Sequence, residues 1–560
     1  MLNIKLKAHL DKIYGANKND LLAAKLSGMA RDTKTKTLQS GNRPNEADIV
    51  LITYGDTIKE KGRKPLQTLN NFLLQYLHKE ITHVHILPFF PYSSDDGFSV
   101  IDYFTVDPQL GDWQDICTLS ENFSLMFDLV INHISQHSQW FQNYLNGRSP
   151  GNGFFIEANP ETDYSQVIRP RSLPLLTEHK VSGEKKHIWT TFSADQIDLN
   201  FKNPDVLIEI VKVFLFYLEQ GAKIIRLDAI AFLWKEPGTN CLHLPQTHEV
   251  VKLLRTLAGY VDPSVIILTE TNVPNKENLS YFGQGDEAQM VYQFSLPPLL
   301  LYTLYSGNSE YLTRWAQSLP EIPHGCTYFN FTASHDGIGV RPLEGLIPAE
   351  KLNQLIEAVK KSGGYVSTRQ NSDGTHSAYE LNITYFDALR TFNGTIDGAQ
   401  EKRFICSQII MMALKGVPAF YIHSLLATAN YSEGVMATEI NRAINRRKLL
   451  WDEITGLLEK NTQHAHVLNE LKRIIAIRKS NPNFHPNCSM EIAYPGPGLF
   501  VLSRNNKKLW SVSNISNSTM QLHLGQLAQC NGYKHDIISG KNFDMANPIK
   551  IEPYQTLWLE

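Results

Sequence analysis

Three acidic residues end short apolar segments of this chain, and this shared setting is the first sign of chemistry. Asp228 closes the segment IIRLD, Glu270 follows VIILT, and Asp336 follows TYFNFTASH. Burying three carboxylates costs several kcal/mol unless each is paired, so either separate ion pairs or a common function must hold them. Glycosyl transfer needs such a set, because one carboxylate attacks the anomeric carbon while a second protonates the leaving oxygen.

Arg226 precedes Asp228 by two residues and therefore faces the same side of its strand. A cation a few ångströms away lowers the pKa of a carboxyl group and keeps a nucleophile ionised. The acid must instead hold its proton, which requires a less polar setting or a like-charged neighbour. The residues by themselves leave open which carboxylate takes which role.

Other polar side chains also follow apolar segments and extend the candidate site. An aromatic residue, Phe98, is included because flat rings can stack on sugars as well as fill cores. The additional residues are Asp95, Asp96, Phe98, Asp128, Asn132, His133 and His335.

Eight β-branched or aromatic segments alternate with helical patterns and predict the elements that position these residues. Each segment is apolar on both faces, as in a buried parallel strand. The fold class is therefore predicted as α/β, a (β/α)₈ TIM barrel with its active site at the C-terminal ends of the strands. An open doubly wound sheet is the alternative, although no G-x-G-x-x-G or P-loop follows the first strand. The segments begin at Asp48, His83, Leu125, Ile224, Val265, Met290, Thr327 and Val417.

Five regions are predicted along the chain. Residues 1–47 form a polar helical extension, and residues 48–480 form the catalytic barrel. Residues 134–200, rich in Pro, Asn and Ser, form an inserted domain after the third strand. Residues 337–386 form a second insertion after strand seven, in which TRQNSDGTHSAYE indicates a flexible loop. Residues 481–560 alternate in short strands typical of a small all-β domain.

The composition excludes several classes of protein. Of 560 residues, 42% are apolar and 19% are charged, which excludes wholesale disorder. The net charge of −3 provides no basic field, so nucleic acid is not expected as a partner. No run approaches the roughly 18 apolar residues of a membrane span, and the N-terminus lacks the features of a signal peptide.

The cysteines predict a reducing, cytoplasmic location. They are far apart with no C-x-x-C pair, so they are interpreted as buried thiols and not as a disulfide framework. No spacing of Cys and His fits a metal site, and PLP, nicotinamide and ATP motifs are absent, so neither metal nor cofactor is expected. The cysteines are Cys117, Cys241, Cys326, Cys406, Cys488 and Cys530.

Four motifs in this chain are similar to those of a known family. DLVINH, IIRLDAI, ILTET and ASHDG resemble, in order, the signature regions of the α-amylase superfamily, glycoside hydrolase family 13. PFFPYSSDDGFSVIDYF, RLDAIAFLWKEPGT and KGVPAFYI narrow the resemblance to the sucrose-phosphorylase subfamily. The N-terminal extension, WKEPGT and ETNVPNKEN are most similar to its glucosylglycerate phosphorylase branch. The resemblance covers nearly the whole chain.

This resemblance implies a retaining phosphorylase, a glycosyltransferase of the hexosyltransferase type. Such an enzyme passes a glucosyl group between an α-glucoside and inorganic phosphate by double displacement, with α-D-glucose 1-phosphate as the product. By resemblance, Asp228 is the nucleophile, Glu270 the general acid/base and Asp336 the stabiliser of the transition state. The implied glucosyl contacts are Asp95, Phe98, His133, Gln196, Arg226, His335 and Arg446, with Asp95 and Arg446 together gripping the far hydroxyl. The implied phosphate and acceptor contacts are Arg171, His376 and Tyr379.

The residues of the predicted acceptor loop leave more than one acceptor open. Ser377 and Glu380 stand where the loop of sucrose phosphorylases carries an Asp and a Gln, so sucrose is put in doubt. A basic set of Arg171 and His376, with Arg369 or Lys235, would suit an anionic acceptor such as D-glycerate.

Other functions stay open from the sequence. Phosphorylases of sucrose, sucrose 6′-phosphate and glucosylglycerol share the catalytic residues. A plain α-glucosidase or a non-catalytic barrel that acts as an interaction protein represents a different class. The expected partners are small molecules, and the oligomeric state is not readable from the sequence.

Overall fold

Eight parallel strands close into a barrel in the computed structural model of this chain. The structure describes residues 1–16, 19–33, 44–171, 173–370, 375–524 and 532–560. Each strand pairs with its neighbours in chain order, and the last pairs in parallel with the first. The strands are β1 Val50–Thr53, β2 His83–Ile86, β3 Ser124–Val130, β4 Ala222–Asp228, β5 Ile266–Thr269, β6 Met290–Tyr292, β7 Thr327–Phe331 and β8 Val417–Tyr421.

The barrel strands are buried on both faces, which explains their continuous apolar runs. Every residue of β1, β5 and β7 is buried, as expected for parallel strands enclosed by a ring of helices. Because β8 pairs with β1, no open edge remains. The predicted (β/α)₈ barrel is confirmed, and the alternative of an open doubly wound sheet is wrong.

Helices follow the strands at the amphipathic segments. The helix Pro204–Glu219, for example, has Pro in its first turn, and the side chain of Asn203 accepts a hydrogen bond from the backbone of Asp205. The described helices are Leu2–Tyr14, Asp20–Asp32, Pro65–Tyr76, Trp113–Ser120, Gln139–Leu145, Pro204–Glu219, Pro245–Val261, Asn275–Leu279, Leu296–Ser306, Glu310–Ser318, Ala349–Lys361, Tyr385–Ala388, Gln400–Ala413, Ile422–Leu425, Ser432–Thr438, Trp451–Leu458 and Gln463–Lys479. No helix in these described ranges has the length and apolar content needed to cross a membrane.

The insertion after β3 is built from short antiparallel pairs. His133–Ser135 pairs with Gln196–Asp198, and Leu176–Val181 forms a hairpin with Glu184–Trp189. The first pair begins directly at the end of β3, so it carries His133 and Gln196 to the C-terminal end of the barrel.

The insertion after β7 is more ordered than its composition suggests. It contains the helix Ala349–Lys361 and a three-stranded sheet of Ile338–Gly339, Tyr365–Gln370 and His376–Asn382. The prediction of a flexible loop is therefore wrong for the described part of this segment, while residues 371–374 lie outside the described residues. The hairpin is anchored at its base, where the fully buried Leu381 pairs with Val366 of the neighbouring strand.

The N-terminal extension packs against the outside of the barrel through its helix Leu2–Tyr14. Leu6 and Leu10 are fully buried, and Glu249 of the helix Pro245–Val261 pairs with both His9 and Lys12 at 3.0 Å. The extension is thus helical as predicted where it is described, and residues 17–18 and 34–43 lie outside that part.

The C-terminal region is all-β, as predicted. Four strands form an antiparallel sheet, and two further pairs complete the region. Its own apolar cluster includes Val501, Val512 and Leu557. The strands are Met490–Ala493, Leu499–Arg504, Leu509–Asn514, Met520–Leu522, Tyr533–His535, Asn542–Asp544, Ile549–Ile551 and Thr556–Leu559. The limits of the five predicted domains stay predictions.

The cysteine prediction is correct in part. Cys241, Cys326 and Cys406 are buried free thiols. The side chains of Cys117 and Cys488 are partly exposed, so the prediction of burial is wrong for them. In the helix that carries Cys117, Ile116 and Leu119 occupy the buried face instead. Cys530 lies outside the described residues.

Candidate active site

A single cavity opens at the C-terminal ends of the barrel strands and holds most of the predicted site. The three predicted catalytic carboxylates all line it, which satisfies the main geometric requirement of glycosyl transfer. The predicted residues in its wall are Asp95, Phe98, His133, Arg171, Gln196, Asp228, Glu270, His335, Asp336 and Tyr379.

Arg226 lies beneath the cavity floor and connects two strands. Its Nη1 donates hydrogen bonds to Asp128 Oδ1 at 2.5 Å and Asp228 Oδ1 at 2.7 Å. The register of β3 against β4 places Asp128 opposite Arg226, and the two-residue spacing on β4 places Asp228 on the same face. His85 Nε2 donates to the other oxygen of Asp128 at 2.7 Å, so that carboxylate is held from two sides.

The charges beneath the floor fix the state of Asp128. Burial opposes its ionisation, but His85 and Arg226 lower the pKa of Asp128 to about 2. Asp128 is therefore an anion that orients Arg226, and it leaves the guanidinium available to one oxygen of Asp228.

Asp228 and Glu270 are two buried carboxyl groups beside one guanidinium. Burial raises the pKa of Asp228 well above its usual value; Arg226 opposes the rise and Glu270 adds to it. Burial also raises the pKa of Glu270, with Arg226 opposing and Asp336 adding. Arg226 lies 2.7 Å from Asp228 but 3.9 Å from Glu270, so the negative charge is favoured on Asp228 and a proton on Glu270.

Ala229 completes this arrangement, although sequence reasoning missed it. Its φ of 46° lies in the left-handed region, where a non-glycine residue is strained. In this conformation its backbone N–H donates to Glu270 Oε2 at 3.0 Å. The strained turn after β4 thus positions the candidate acid against the candidate nucleophile.

Asp336 is held as an anion on the opposite side of the cavity. Arg442 Nη1 lies 2.8 Å from Asp336 Oδ1. Burial opposes ionisation, but the guanidinium groups of Arg442 and Arg446 lower the pKa of Asp336 below its usual range. A carboxylate kept ionised at this position can accept hydrogen bonds from sugar hydroxyls.

The two histidines of the wall are neutral. Burial lowers the pKa of His133, and it lowers the pKa of His335 to about 3. The His335 ring stacks on Phe98 with centroids 4.8 Å apart, and His133 Nε2 donates to the Phe98 carbonyl oxygen at 2.8 Å. Gln196 Nε2 donates to the same carbonyl oxygen at 3.2 Å. Phe98 is thereby fixed in the cavity wall.

Arg446 does not line the cavity wall to which Asp95 belongs, and its contact with the sugar stays a prediction. Arg446 lies behind the wall, where Nη1 pairs with Asp96 at 2.6 Å and Nε donates to the His335 carbonyl oxygen at 2.8 Å. Asp95 instead pairs with Arg171 at 2.8 Å, and Arg442 is the arginine that lines the cavity. The segment INRAINRR repeats Ile-Asn-Arg, and only its first arginine reaches the site.

The predicted acceptor residues lie in different places, and their contact with an acceptor stays a prediction. His376 is exposed on its strand and does not line the cavity. Lys235 is buried against Asp198 at 2.5 Å, and Arg369 pairs with Glu344 at 3.0 Å. Of the predicted basic set, Arg171 alone lines the described cavity wall.

Four polar or charged wall residues were missed besides Ala229. Arg442 ends the first copy of a repeated tripeptide, and Asn272 stands two residues after Glu270 at the same strand end, so both carried a readable signal. Glu380, which in the sequence argued only against sucrose as the acceptor, is buried in the wall and pairs with Arg442 at 2.5 Å. The missed residues are Thr271, Asn272, Arg341 and Arg442.

Comparisons with known proteins agree with this geometry. The α-amylase catalytic-domain family model matches residues 72–336. A glucosylglycerate phosphorylase of Escherichia coli strain K12 is 44% identical, with 99% of this chain and 100% of the relative covered. A glucosylglycerate phosphorylase of Spirochaeta thermophila is 47% identical, with 83% of this chain and 80% of the relative covered. The crystal structure of sucrose 6F-phosphate phosphorylase from Thermoanaerobacter thermosaccharolyticum superposes with a TM-score of 0.73 at 28% identity, covering 84% of this chain and 94% of that one.

Proposed function

This chain belongs to the sucrose-phosphorylase subfamily of the α-amylase superfamily, glycoside hydrolase family 13, and on that premise we propose that it reversibly phosphorolyses 2-O-α-D-glucosylglycerate. The products are α-D-glucose 1-phosphate and D-glycerate. The observation that carries the proposal is the convergence of Asp228, Glu270 and Asp336 in one cavity, with Arg226 closest to Asp228.

In the first step, Asp228 attacks the anomeric carbon while Glu270 donates its proton to the departing glycosidic oxygen. The bond from the anomeric carbon to that oxygen breaks, and a β-glucosyl-enzyme ester forms at Asp228. The closer contact of Arg226 with Asp228 supports this division of roles, because it stabilises the ionised nucleophile. Asp336, held ionised by Arg442, stabilises the developing positive charge.

In the second step, a phosphate oxygen attacks the same carbon from the side that D-glycerate has left. The ester bond to Asp228 breaks, and Glu270, now a carboxylate, takes a proton from the incoming phosphate. Two inversions leave the glucosyl group in its original α configuration. Arg171, which lines the cavity, supplies a cation for the phosphate.

The acceptor side supports an acceptor other than sucrose. Glu380 is held by Arg442 through a buried ion pair. Its carboxylate therefore already has a partner at the position where sucrose phosphorylases carry a different residue. The two glucosylglycerate phosphorylases named above share 44% and 47% of their residues with this chain, compared with 28% for a sucrose phosphorylase of Streptococcus mutans. We also propose a cytoplasmic location, which is supported by the buried free thiols of Cys241, Cys326 and Cys406.

An acceptor screen tests this proposal. The enzyme is incubated with α-D-glucose 1-phosphate and either D-glycerate, glycerol, fructose or fructose 6-phosphate, and phosphate release is measured. D-glycerate is expected to give the highest kcat/KM. A higher value for another acceptor would reassign the substrate, and release of glucose from glucosylglycerate at equal rates with and without phosphate would identify a hydrolase.

A further inference from the structure

Arg341 is a buried cation in the cavity wall that the mechanism above does not use. It begins the short turn Arg341–Leu343 in the insertion after β7 and is 7% exposed. Its Nε is buried without a hydrogen-bond partner. Among the described residues, the nearest carboxylate oxygen to this guanidinium is Glu344 Oε1, at 3.8 Å from Nε, which is too far for a hydrogen bond.

The other arginines of the described site differ from Arg341 because each donates to a carboxylate. Arg171 lies 2.8 Å from Asp95, Arg442 lies 2.8 Å from Asp336, and Arg226 lies 2.7 Å from Asp228. The Nε of Arg226 is also buried without a partner, so what distinguishes Arg341 among the described arginines of the site is that it has no hydrogen-bonded carboxylate.

The surroundings of Arg341 contain an excess of positive charge. Glu344, the carboxylate closest to Arg341, accepts a hydrogen bond from Arg369 Nη2 at 3.0 Å, so two guanidinium groups share one carboxylate. Burial lowers the pKa of Arg369, and the neighbouring Arg341 lowers it further. This group of residues therefore has room for one more negative charge.

Asn272 supplies a second unsatisfied group in the same wall. It stands two residues after Glu270, and its Oδ1 is buried without a hydrogen-bond partner. A Cβ atom at position 339 would lie 2.5 Å from this oxygen, so Gly339 leaves the space that the Asn272 side chain occupies. A buried cation without a hydrogen-bonded carboxylate and an unpartnered hydrogen-bond acceptor thus line the same cavity as the candidate acid.

We infer that Arg341 binds the carboxylate of the acceptor and that Asn272 Oδ1 accepts a hydrogen bond from one of its hydroxyl groups. This inference rests on the proposed function and assigns the recognition of a small hydroxy acid to named residues. The surplus at Arg341 and Arg369 is a single charge, which matches a monoanionic carboxylate better than a phosphate dianion. Glycerol lacks the carboxylate and would leave the guanidinium unpaired, so the site rejects it.

Arg341→Gln tests the inference in the synthetic direction, from glucose 1-phosphate. We expect KM for D-glycerate to rise about ten- to a hundredfold, as for loss of a charge-assisted hydrogen bond. The ratio of kcat/KM for D-glycerate to that for glycerol should fall by a similar factor, because glycerol has no carboxylate that loses a partner. Arg341→Lys, which keeps the charge, should restore part of the glycerate affinity and serves as the second variant if Arg341→Gln does not fold.

Arg369→Gln is the matched control, because it removes the neighbouring charge without altering the cavity wall. Its KM for D-glycerate should stay within about threefold of the parent enzyme. If KM for D-glycerate rises equally in both variants, the acceptor responds to the net positive charge of the region. Direct contact between Arg341 and the acceptor carboxylate would then be wrong. A rise in KM for phosphate alone would assign Arg341 to phosphate and also overturn it.

The outcome separates the two proposals. If the parent enzyme does not prefer D-glycerate to glycerol, the proposed function fails first. If the parent prefers D-glycerate and Arg341→Gln and Arg341→Lys both keep that preference, the proposed function stands and only the role of Arg341 is wrong.

Discussion

Glu270 must hold a proton for the first step, and its environment sets the pH range in which it can. Burial raises its pKa above the ordinary value of 4.5, so the protonated form persists above that pH and is lost as pH rises through the raised value. We therefore expect kcat/KM for glucosylglycerate to fall on the basic side of its profile because Glu270 deprotonates.

Glu270→Gln provides the measurement. In this variant, kcat/KM should no longer fall on the basic side of the pH profile, because the side chain at position 270 has no proton to lose. Its activity should be far lower with glucosylglycerate than with α-glucosyl fluoride, whose leaving group needs no proton. An unchanged basic limb in the variant, or equal losses with both donors, would show that another residue is the acid.

Replacing Arg442 and replacing Arg446 should have different effects, one on activity and the other on stability. Arg442→Gln should lower kcat/KM by about two to three orders of magnitude, because Asp336 loses the cation that keeps it ionised. Arg446→Gln should mainly reduce the free energy of unfolding, by about 1–3 kcal/mol, because the buried His335 carbonyl oxygen loses the hydrogen bond from Arg446 Nε.

Steady-state kinetics and urea denaturation of both variants distinguish these effects. If Arg446→Gln had the larger catalytic loss and full stability, Arg446 would contact the substrate as the sequence predicted.

Much of the site could be predicted at the level of single residues. Asp228, Glu270 and Asp336 end strands, and strand ends converge in a closed barrel whatever the intervening loops do. The positions of Arg442 and His376 could not be predicted, because the segment after β8 and the insertion after β7 follow paths that depend on tertiary contacts. The repeat INRAINRR offers two equivalent arginines, and packing alone decides between them.

The turn after β4 is the element whose backbone geometry matters most for the chemistry. Ala229 has a φ of 46°, which glycine adopts freely and β-branched residues resist. Ala229→Val should destabilise the protein by about 1–3 kcal/mol and reduce activity, because the N–H to Glu270 is displaced.

Ala229→Gly is the control for this change, since it keeps the turn. It should retain activity within about tenfold of the parent enzyme. Urea denaturation and kcat of the two variants check the prediction, and full stability and activity of Ala229→Val would show that the turn adapts without cost.

Helices and strands with a clear periodicity of apolar residues were predictable. Strands that are recognised only by their pairing with another segment were not. The eight barrel strands and the helix Pro204–Glu219 follow from continuous or amphipathic apolar patterns. The hairpin of Tyr365–Gln370 with His376–Asn382 was predicted as a loop, because polar residues between two short strands hide their alternation.

Buried neutral histidines set how the whole molecule responds to acid. Burial lowers the pKa of His243 to about 4 and the pKa values of His335 and His423 to about 3. Below pH 6.5 these histidines bind protons in the unfolded chain but stay neutral in the folded protein. The free energy of unfolding therefore falls as pH is lowered. Asp228 and Glu270 act in the opposite sense, since their raised pKa values let the folded state take up a proton first.

The free energy of unfolding, measured by urea denaturation between pH 7 and pH 4, should therefore decrease on acidification. Each such histidine contributes up to about 1.4 kcal/mol per pH unit. His423→Asn should flatten the slope, whereas replacement of the exposed His535 should leave it unchanged. A slope equal to that of the parent in His423→Asn would contradict the account.

At the level of the whole molecule, the barrel, its two insertions and the C-terminal β region were predictable because the order of elements determines the topology. The packing of the N-terminal helices on Pro245–Val261 was not, because it depends on Glu249 meeting His9 and Lys12 from a distant part of the chain.

The central claim is that Asp228 forms a covalent glucosyl ester in the cavity it shares with Glu270 and Asp336. Mass spectrometry of Glu270→Gln after mixing with α-glucosyl fluoride tests it most directly. We expect one glucosyl residue on the peptide that contains Asp228, and no label in the double variant with Asp228→Asn. Absence of the label, or a label on a different carboxylate, would contradict the account.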